Sequence, residues 1–283
     1  MFSGVLFLWF GVFGLFLSFV MKFYDSIIFN PDFYYSTVWI MLGLAVVVFI
    51  ALQRITAGYG MMYTKKWGPT VGNRLGWILM ELPAFLAMLL LWVLSPRCGE
   101  AAQIVMGGFF LFHYFQRTFI FPLLIKGKSR MPLAVMLMGM VFNTINSYMI
   151  GGWLFYVAPA DYYGLSWLWS PLFILGSLVF FAGMAINLQS DRIIRNLRRP
   201  GDTRHYIPRG GMFRYVASAN YFGEFVEWVG YAILTWSIGG LAFAVWTFAN
   251  LAPRAMKIHK RYEEEFGEEY KKLNRRYIIP FIY

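Results

Sequence analysis

A single cysteine, Cys98, occurs in the 283 residues, so no disulfide can close within them and no cysteine cluster can bind a metal. The three histidines, His113, His205 and His259, are too scattered for a zinc spacing such as H-E-x-x-H. No metal is therefore expected. Neither G-x-G-x-x-G nor G-x-x-x-x-G-K-[ST] occurs, which excludes a Rossmann fingerprint and a P-loop. Any nucleotide has to be held by helices and loops. Acidic residues are few, 14 against 25 Lys and Arg, for a formal net charge of +11. Because the cations flank apolar segments, membrane orientation and anionic lipid headgroups account for much of that excess. No nucleic acid partner is called for.

What the sequence has in abundance is apolar length. It is 59% hydrophobic and 20% aromatic, the composition of a polytopic membrane protein with one bundle and no soluble domain. Stretches long enough to cross a bilayer run at 4–23, 36–53, 75–95, 101–125, 132–158, 170–192, 219–237 and 239–257. The expected fold is all-α, a membrane helical bundle of seven core transmembrane helices. The stretch at 4–23 reads as an uncleaved extra N-terminal helix or a membrane-embedded arm, since it lacks the basic start of a signal peptide and carries Lys22 at its far end. Residues 1–57 read as N-terminal membrane segments and 58–283 as the functional membrane domain.

Charge alternates between connections. Arg54, Lys65, Lys66 and Arg74 precede the third segment, Lys126, Lys128 and Arg130 follow the fourth, and seven arginines from Arg192 to Arg214 follow the sixth. The connections at 96–100, 158–169 and 237–239 carry almost no cations, so the basic loops and the C-terminus read as cytoplasmic. The run from Arg192 to Arg214, punctuated by Pro200-Gly201 and Pro208, reads as a long cationic loop. After Lys257 the sequence reads as a short solvated helix ending in the apolar strip 277–283, which should dock back onto the bundle or the membrane surface.

In that orientation the polar residues inside the segments gather at one level. Glu81 falls about 10 Å below the cytoplasmic face and Tyr114 about 16 Å, with Arg117 about one turn nearer the surface. Asn143, Asn146, Asn187, Asp191, Asn220, Glu224, Glu227, Asn250 and Arg254 share that inner half. Asn187, Asp191, Arg195 and Arg198 repeat at helical spacing and form one stripe, as do Asn220, Glu224 and Glu227. Buried charges in hydrocarbon cost several kcal/mol unless they face partners or a wet cavity. Their convergence predicts a polar cavity open to the cytoplasm, and the arginines beside it suit an anionic ligand.

Particular motifs then carry a resemblance. Met80-Glu81-Leu82-Pro83, His113-Tyr114-Phe115-Gln116-Arg117-Thr118, and Asn187-Leu188-Gln189-Ser190-Asp191 through Arg198-Arg199-Pro200-Gly201 are similar to the steroid 5α-reductase family. So are Ile207-Pro208-Arg209-Gly210-Gly211, Asn220-Tyr221-Phe222-Gly223-Glu224 through Glu227-Trp228, and Ile279-Pro280-Phe281. The likeness runs from Gly58-Tyr59-Gly60 to the end. Met80 stands where the family usually has Gln.

The resemblance implies an NADPH-dependent oxidoreductase that saturates the 4,5 double bond of a 3-oxo-Δ4 steroid. Glu81 and Tyr114 would bind the 3-keto oxygen, onto which hydride addition at C5 pushes negative charge. Donors aimed at a developing oxyanion stabilise the transition state. Glu81 can donate only while it carries its proton. By the same likeness, NADPH would meet Arg117, Asn187, Asp191, Arg195, Arg198, Asn220, Glu224, Arg254, His259 and Tyr262. The apolar substrate would be walled by Trp77, Met80, Phe142, Phe243 and Trp246, in a protein acting as a monomer among membrane lipids. Alternatives are a related membrane reductase or methyltransferase acting on a polyprenol, enoyl thioester or prenyl cysteine, and a steroid or lipid carrier without chemistry.

Overall fold

A computed structural model describes residues 28–56, 58, 60–126, 129–197, 202 and 204–283. The expected helix at 4–23 and the candidate cofactor residue Arg198 lie outside the described residues. Seven long helices fall within them: α1 (Pro31–Arg54), α2 (Asn73–Val93), α3 (Ala101–Phe115), α4 (Leu133–Gly152), α5 (Pro171–Asn196), α6 (Ala219–Thr235) and α7 (Ile238–Phe266). Five of these, with α3 extended to Leu124 and α4 to Val157, are long and apolar enough to cross a membrane. The protein is thus an all-α membrane bundle, although the seven spans expected from the sequence stand at five by that measure. Helix α6 has only 17 residues, and α7 becomes strongly charged over its last turns.

Local chemistry starts and stops these helices. Asn30 caps α1 through Asp32 N–H with Pro31 at the first turn, and Ser170 caps α5 through Phe173 N–H with Pro171. Between α6 and α7 the reversal takes two residues. Trp236 adopts the left-handed conformation at φ 43°, and the Ser237 hydroxyl accepts from Gly240 N–H.

Helix α3 continues as a π-helical turn, Gln116–Ile120, and then as Phe121–Leu124. Pro122 explains the widening, because it has no N–H to give the carbonyl four residues back and its ring crowds that carbonyl.

Two helix pairs set the architecture. Strands β1 (Thr70–Gly72) and β2 (Arg130–Pro132) pair antiparallel and launch α2 and α4 side by side. Asn143 donates to Met80 O and Ser147 to Ala84 O, both across 63 residues, so α2 and α4 run parallel in register. Helices α5 and α6 are antiparallel and far closer. A Cβ at Gly176 or Gly183 would collide with the backbone of Leu234 or Glu227, and one at Gly223 or Gly230 with the backbone of Asn187 or Phe180. Glycines seven residues apart on each helix thus allow main chain to touch main chain, as small residues do between membrane helices.

Two sequence expectations are corrected here. The cationic loop does not begin at Arg192, since α5 continues to Asn196 and carries Arg192 and Arg195. The tail after Lys257 is not one separate short helix, since α7 runs unbroken to Phe266 and only Glu268–Lys271 form a short helix of their own. Its 29 residues span about 44 Å, more than a hydrocarbon core of about 30 Å, so its end projects beyond the bilayer. Glu, Lys and Arg are good helix formers, and nothing breaks the helix until Gly267 at φ 53°.

The strip after Asn274 docks as expected. Arg276 N–H donates to Tyr215 O, and the N–H groups of Ala217 and Ser218 donate to Arg276 O and Tyr277 O. Ile278 is fully buried against Leu251, Ala252 and Ala255.

Candidate active site

The parallel register of α2 and α4 places Glu81 level with Asn143, and α3 brings Tyr114 to the same point. All three are buried. Asn143 Nδ2 donates to Glu81 Oε2 at 3.0 Å and to Met80 O at 2.8 Å, and Tyr114 Oη donates to Asn143 Oδ1 at 3.2 Å. The Met80 carbonyl can only accept, which fixes the amide nitrogen on the Glu81 side and turns the amide oxygen toward Tyr114. Asn146 Nδ2 donates to Tyr114 Oη at 3.3 Å, and Asn146 Oδ1 has no hydrogen-bond partner among the described residues. The two residues singled out from sequence therefore converge. Between them, instead of the expected open hollow, stands Asn143.

One turn along from Tyr114, the π-helical turn aims Arg117 at the α5–α6 pair. Its guanidinium lies 3.5 Å from Asp191 Oδ2 and 3.6 Å from Glu224 Oε2, and over the rings of Trp77 and Phe121 at 4.8 Å and 4.6 Å. Burial strengthens such pairing, because an unpaired charge there would be costly. Asn187 Nδ2 donates to Asn220 O at 2.9 Å, a contact that the glycine-mediated approach makes possible. Asp191 Oδ2 and Ser190 Oγ lie buried without a hydrogen-bond partner among the described residues. Arg195 sits half-buried one turn farther along α5.

The remaining candidates divide between two places. Arg254 lies against Tyr221, next to Asn220, with Nη2 3.3 Å from the phenol. His259 and Tyr262 belong to the projecting end of α7 and share Tyr270 as a neighbour. The Tyr270 hydroxyl is 3.1 Å from His259 Nδ1, and its ring is 5.2 Å from that of Tyr262. Burial holds His259 below the usual histidine range, with Glu263 pulling the other way. Of the apolar candidates, Phe142 packs on Trp246 at 4.9 Å and on Phe243 at 6.2 Å. Phe243 packs on Trp228 at 4.1 Å, and Trp228 lies 6.1 Å from Tyr114, so these rings form one wall continuous with the phenol. Trp77 lies on the Arg117 side instead. Met80 packs on Met131 and Met136 and crowds Gly139.

Three features escaped the sequence reading. Asn143 was grouped only with other inner-half amides, yet it joins the two central residues. His113 shares a buried hydrogen bond of 2.7 Å with Glu227, tying α3 to α6 beside Tyr114. Arg275, with Nε and Nη1 buried and unpartnered among the described residues, lines a cavity of about 260 Å³ with His259, Tyr270 and Tyr277. For Arg275 the only signal was an Arg-Arg pair in the tail.

Comparison with known proteins gives the family. Residues 129–283 match the family described as 3-oxo-5-alpha-steroid 4-dehydrogenase. The chain is 42% identical over 243 residues to mouse (Mus musculus) 3-oxo-5-alpha-steroid 4-dehydrogenase 1, covering 84% of this chain and 92% of the relative. It is 38% identical over 247 residues to the human (Homo sapiens) protein of that name, covering 87% and 93%. To a steroid 5-alpha-reductase of Arabidopsis thaliana it is 37% identical over 240 residues, covering 83% and 90%. A helical membrane bundle that matches such relatives over most of its length belongs to the steroid 5-alpha-reductase family of oxidoreductases.

Proposed function

We propose that this protein reduces the 4,5 double bond of a 3-oxo-Δ4 steroid with NADPH, in a site built on Glu81 and Tyr114. The observation that carries this reading is the buried chain of hydrogen bonds from Glu81 through Asn143 to Tyr114. Asn143 Oδ1 is an sp² carbonyl oxygen accepting from Tyr114, the role that a steroid ketone would take over. A ketone there would accept from Tyr114 and from a protonated Glu81 together. As hydride adds at C5, charge moves onto that oxygen, and each well-placed donor lowers the barrier by about 3 kcal/mol. The wall of Phe142, Phe243, Trp246 and Trp228 offers a flat apolar surface for the rings. Met80 adjoins Glu81 on the same side, and Trp77 lies against Arg117, toward the cofactor half.

The α5–α6 side suits a dinucleotide. NADPH supplies the hydride when bound. Asn187, Asp191, Asn220 and Glu224 offer amide and carboxylate partners for a carboxamide and ribose hydroxyls, and the buried Ser190 Oγ, without a hydrogen-bond partner among the described residues, supports that fit. Arg195, Arg198 and Arg254 suit phosphate oxygens, with His259 and Tyr262 farther out. Arg117 lies between the two halves of the site and holds Asp191 and Glu224. The basic loops and the C-terminus lie on the cytoplasmic side, where the cofactor enters, and the protein acts as a monomer. The test is NADPH oxidation by purified protein in detergent with progesterone or testosterone added. Steroid-dependent oxidation is expected, and its absence with every 3-oxo-Δ4 steroid tried would overturn the reading.

A further inference from the structure

The inner end of α1 and the projecting part of α7 enclose a cleft of about 590 Å³ that the reduction site does not use. Gln53 of α1 and Thr56 just past its end line it on one side, and Met256, Lys257, Lys260 and Arg261 line it from α7. These α7 residues lie on the side of the helix away from Tyr262, which is buried against Ile207, Ala217 and Tyr270. Arg261 has Glu265 at 3.7 Å, and Glu264 and Glu265 close the end of the cleft farthest along α7. Among the described residues no carboxylate lies within 4.0 Å of Lys257 or Lys260, and Lys257 is held in place by donating to Ile55 O at 2.6 Å. The cleft thus carries three cations and two carboxylates, and Lys257, without an acidic partner among the described residues, sits at the level where α1 ends, at Arg54.

The approach to the cleft is apolar. Val46, Ile50 and Gln53 recur at spacings of four and three, so they share one face of α1. Val46 is 58% exposed and Ile50 61%. A lipid-facing stripe thus leads along a spanning helix directly to two lysines without acidic partners. That is the chemistry of an anionic phospholipid, with its acyl chain along the stripe and its phosphate at the ammonium groups.

We propose that this cleft binds the headgroup of an anionic phospholipid and clamps the inner end of α1 to α7. A soluble phosphate could satisfy the lysines but would make no use of the exposed stripe that leads to them. Binding is read by titrating short-chain phosphatidylglycerol into the delipidated, detergent-purified protein, with thermal unfolding and native mass spectrometry as readouts. Phosphatidylcholine and inorganic phosphate serve as comparison ligands. Phosphatidylglycerol is expected to raise the unfolding temperature and to remain bound, with neither comparison ligand doing so. The double variant Lys257→Gln/Lys260→Gln should weaken that binding about thirtyfold, at about 1 kcal/mol per surface cation. The single variant Lys260→Gln, which leaves the Lys257 contact to Ile55 in place, should weaken it about fivefold on the same basis. Equal binding of phosphatidylcholine, equal stabilisation by inorganic phosphate, or unchanged phosphatidylglycerol binding in both variants would overturn the proposal.

Discussion

The pairs α5–α6 and α2–α4 both carry buried polar residues to the same depth, but they are joined by opposite means. In α5–α6, four glycines bring backbone against backbone, and the polar groups hang from a seam that cannot yield without moving main chain. In α2–α4 the contact is made by side chains, through Asn143 and Ser147 reaching carbonyls and through Met80 and Met136, with Met131 of β2 packed beside them. Methionine is flexible and fills irregular space. A rigid seam suits a ligand that never changes, and a deformable one suits an apolar ligand that has to be admitted between helices.

This contrast can be broken by substitution. The largest effect is expected at the donors. Glu81→Gln and Tyr114→Phe should each lower kcat by about a hundredfold to a thousandfold, while NADPH still raises the unfolding temperature of both. Turnover near that of the unaltered protein in either variant would remove that residue from the site.

Next comes the seam. Gly183→Ala forces a methyl against the Glu227 backbone and should cost about 2 to 3 kcal/mol, within the usual range for overpacking. Thermal unfolding would show the loss, and NADPH stabilisation should fall with it because Asn187 and Asp191 lie one and two turns farther along α5.

A smaller effect is expected at the junction of the two halves. Arg117→Gln leaves Asp191 and Glu224 facing each other without their cation. The KM for NADPH should rise about tenfold, a loss of about 1.4 kcal/mol, and an unchanged KM would separate Arg117 from cofactor binding.

The smallest effect tests the deformable side. The three atoms nearest a Cβ at Gly139 all belong to the Met80 side chain, so Gly139→Ala should cost less than about 1 kcal/mol because Met80 can turn away. It should alter the KM for the steroid and leave that for NADPH alone. A destabilisation as large as that of Gly183→Ala would erase the contrast between the pairs.

Much of this was legible in the sequence because membrane burial is so restrictive. Long apolar runs have to become helices, and charged residues within them have to meet, which is why Glu81, Arg117 and Asp191 could be placed at one level, whereas the pairing of Tyr114 with Glu81 came from the resemblance to the reductase family. The end of α7 was misread because hydropathy stops at Lys257 whereas helix propensity does not. The α5–α6 seam was written in the sequence as glycines seven apart on two adjacent segments, but only their pairing shows that each meets a backbone. Asn143 was hardest to see, since its importance comes from the shared register of α2 and α4, which the short β1–β2 pairing sets. The bond between His113 and Glu227 joins helices 114 residues apart, and no local pattern signals it.

The most direct test follows the hydride. With NADPH deuterated at the transferable position of nicotinamide C4 and progesterone as substrate, the isolated product should carry deuterium at C5 with the 4,5 double bond gone. Under the same conditions Glu81→Gln should yield almost none of that product. Deuterium at another carbon, or NADPH consumed while the steroid is recovered unlabelled, would contradict the account.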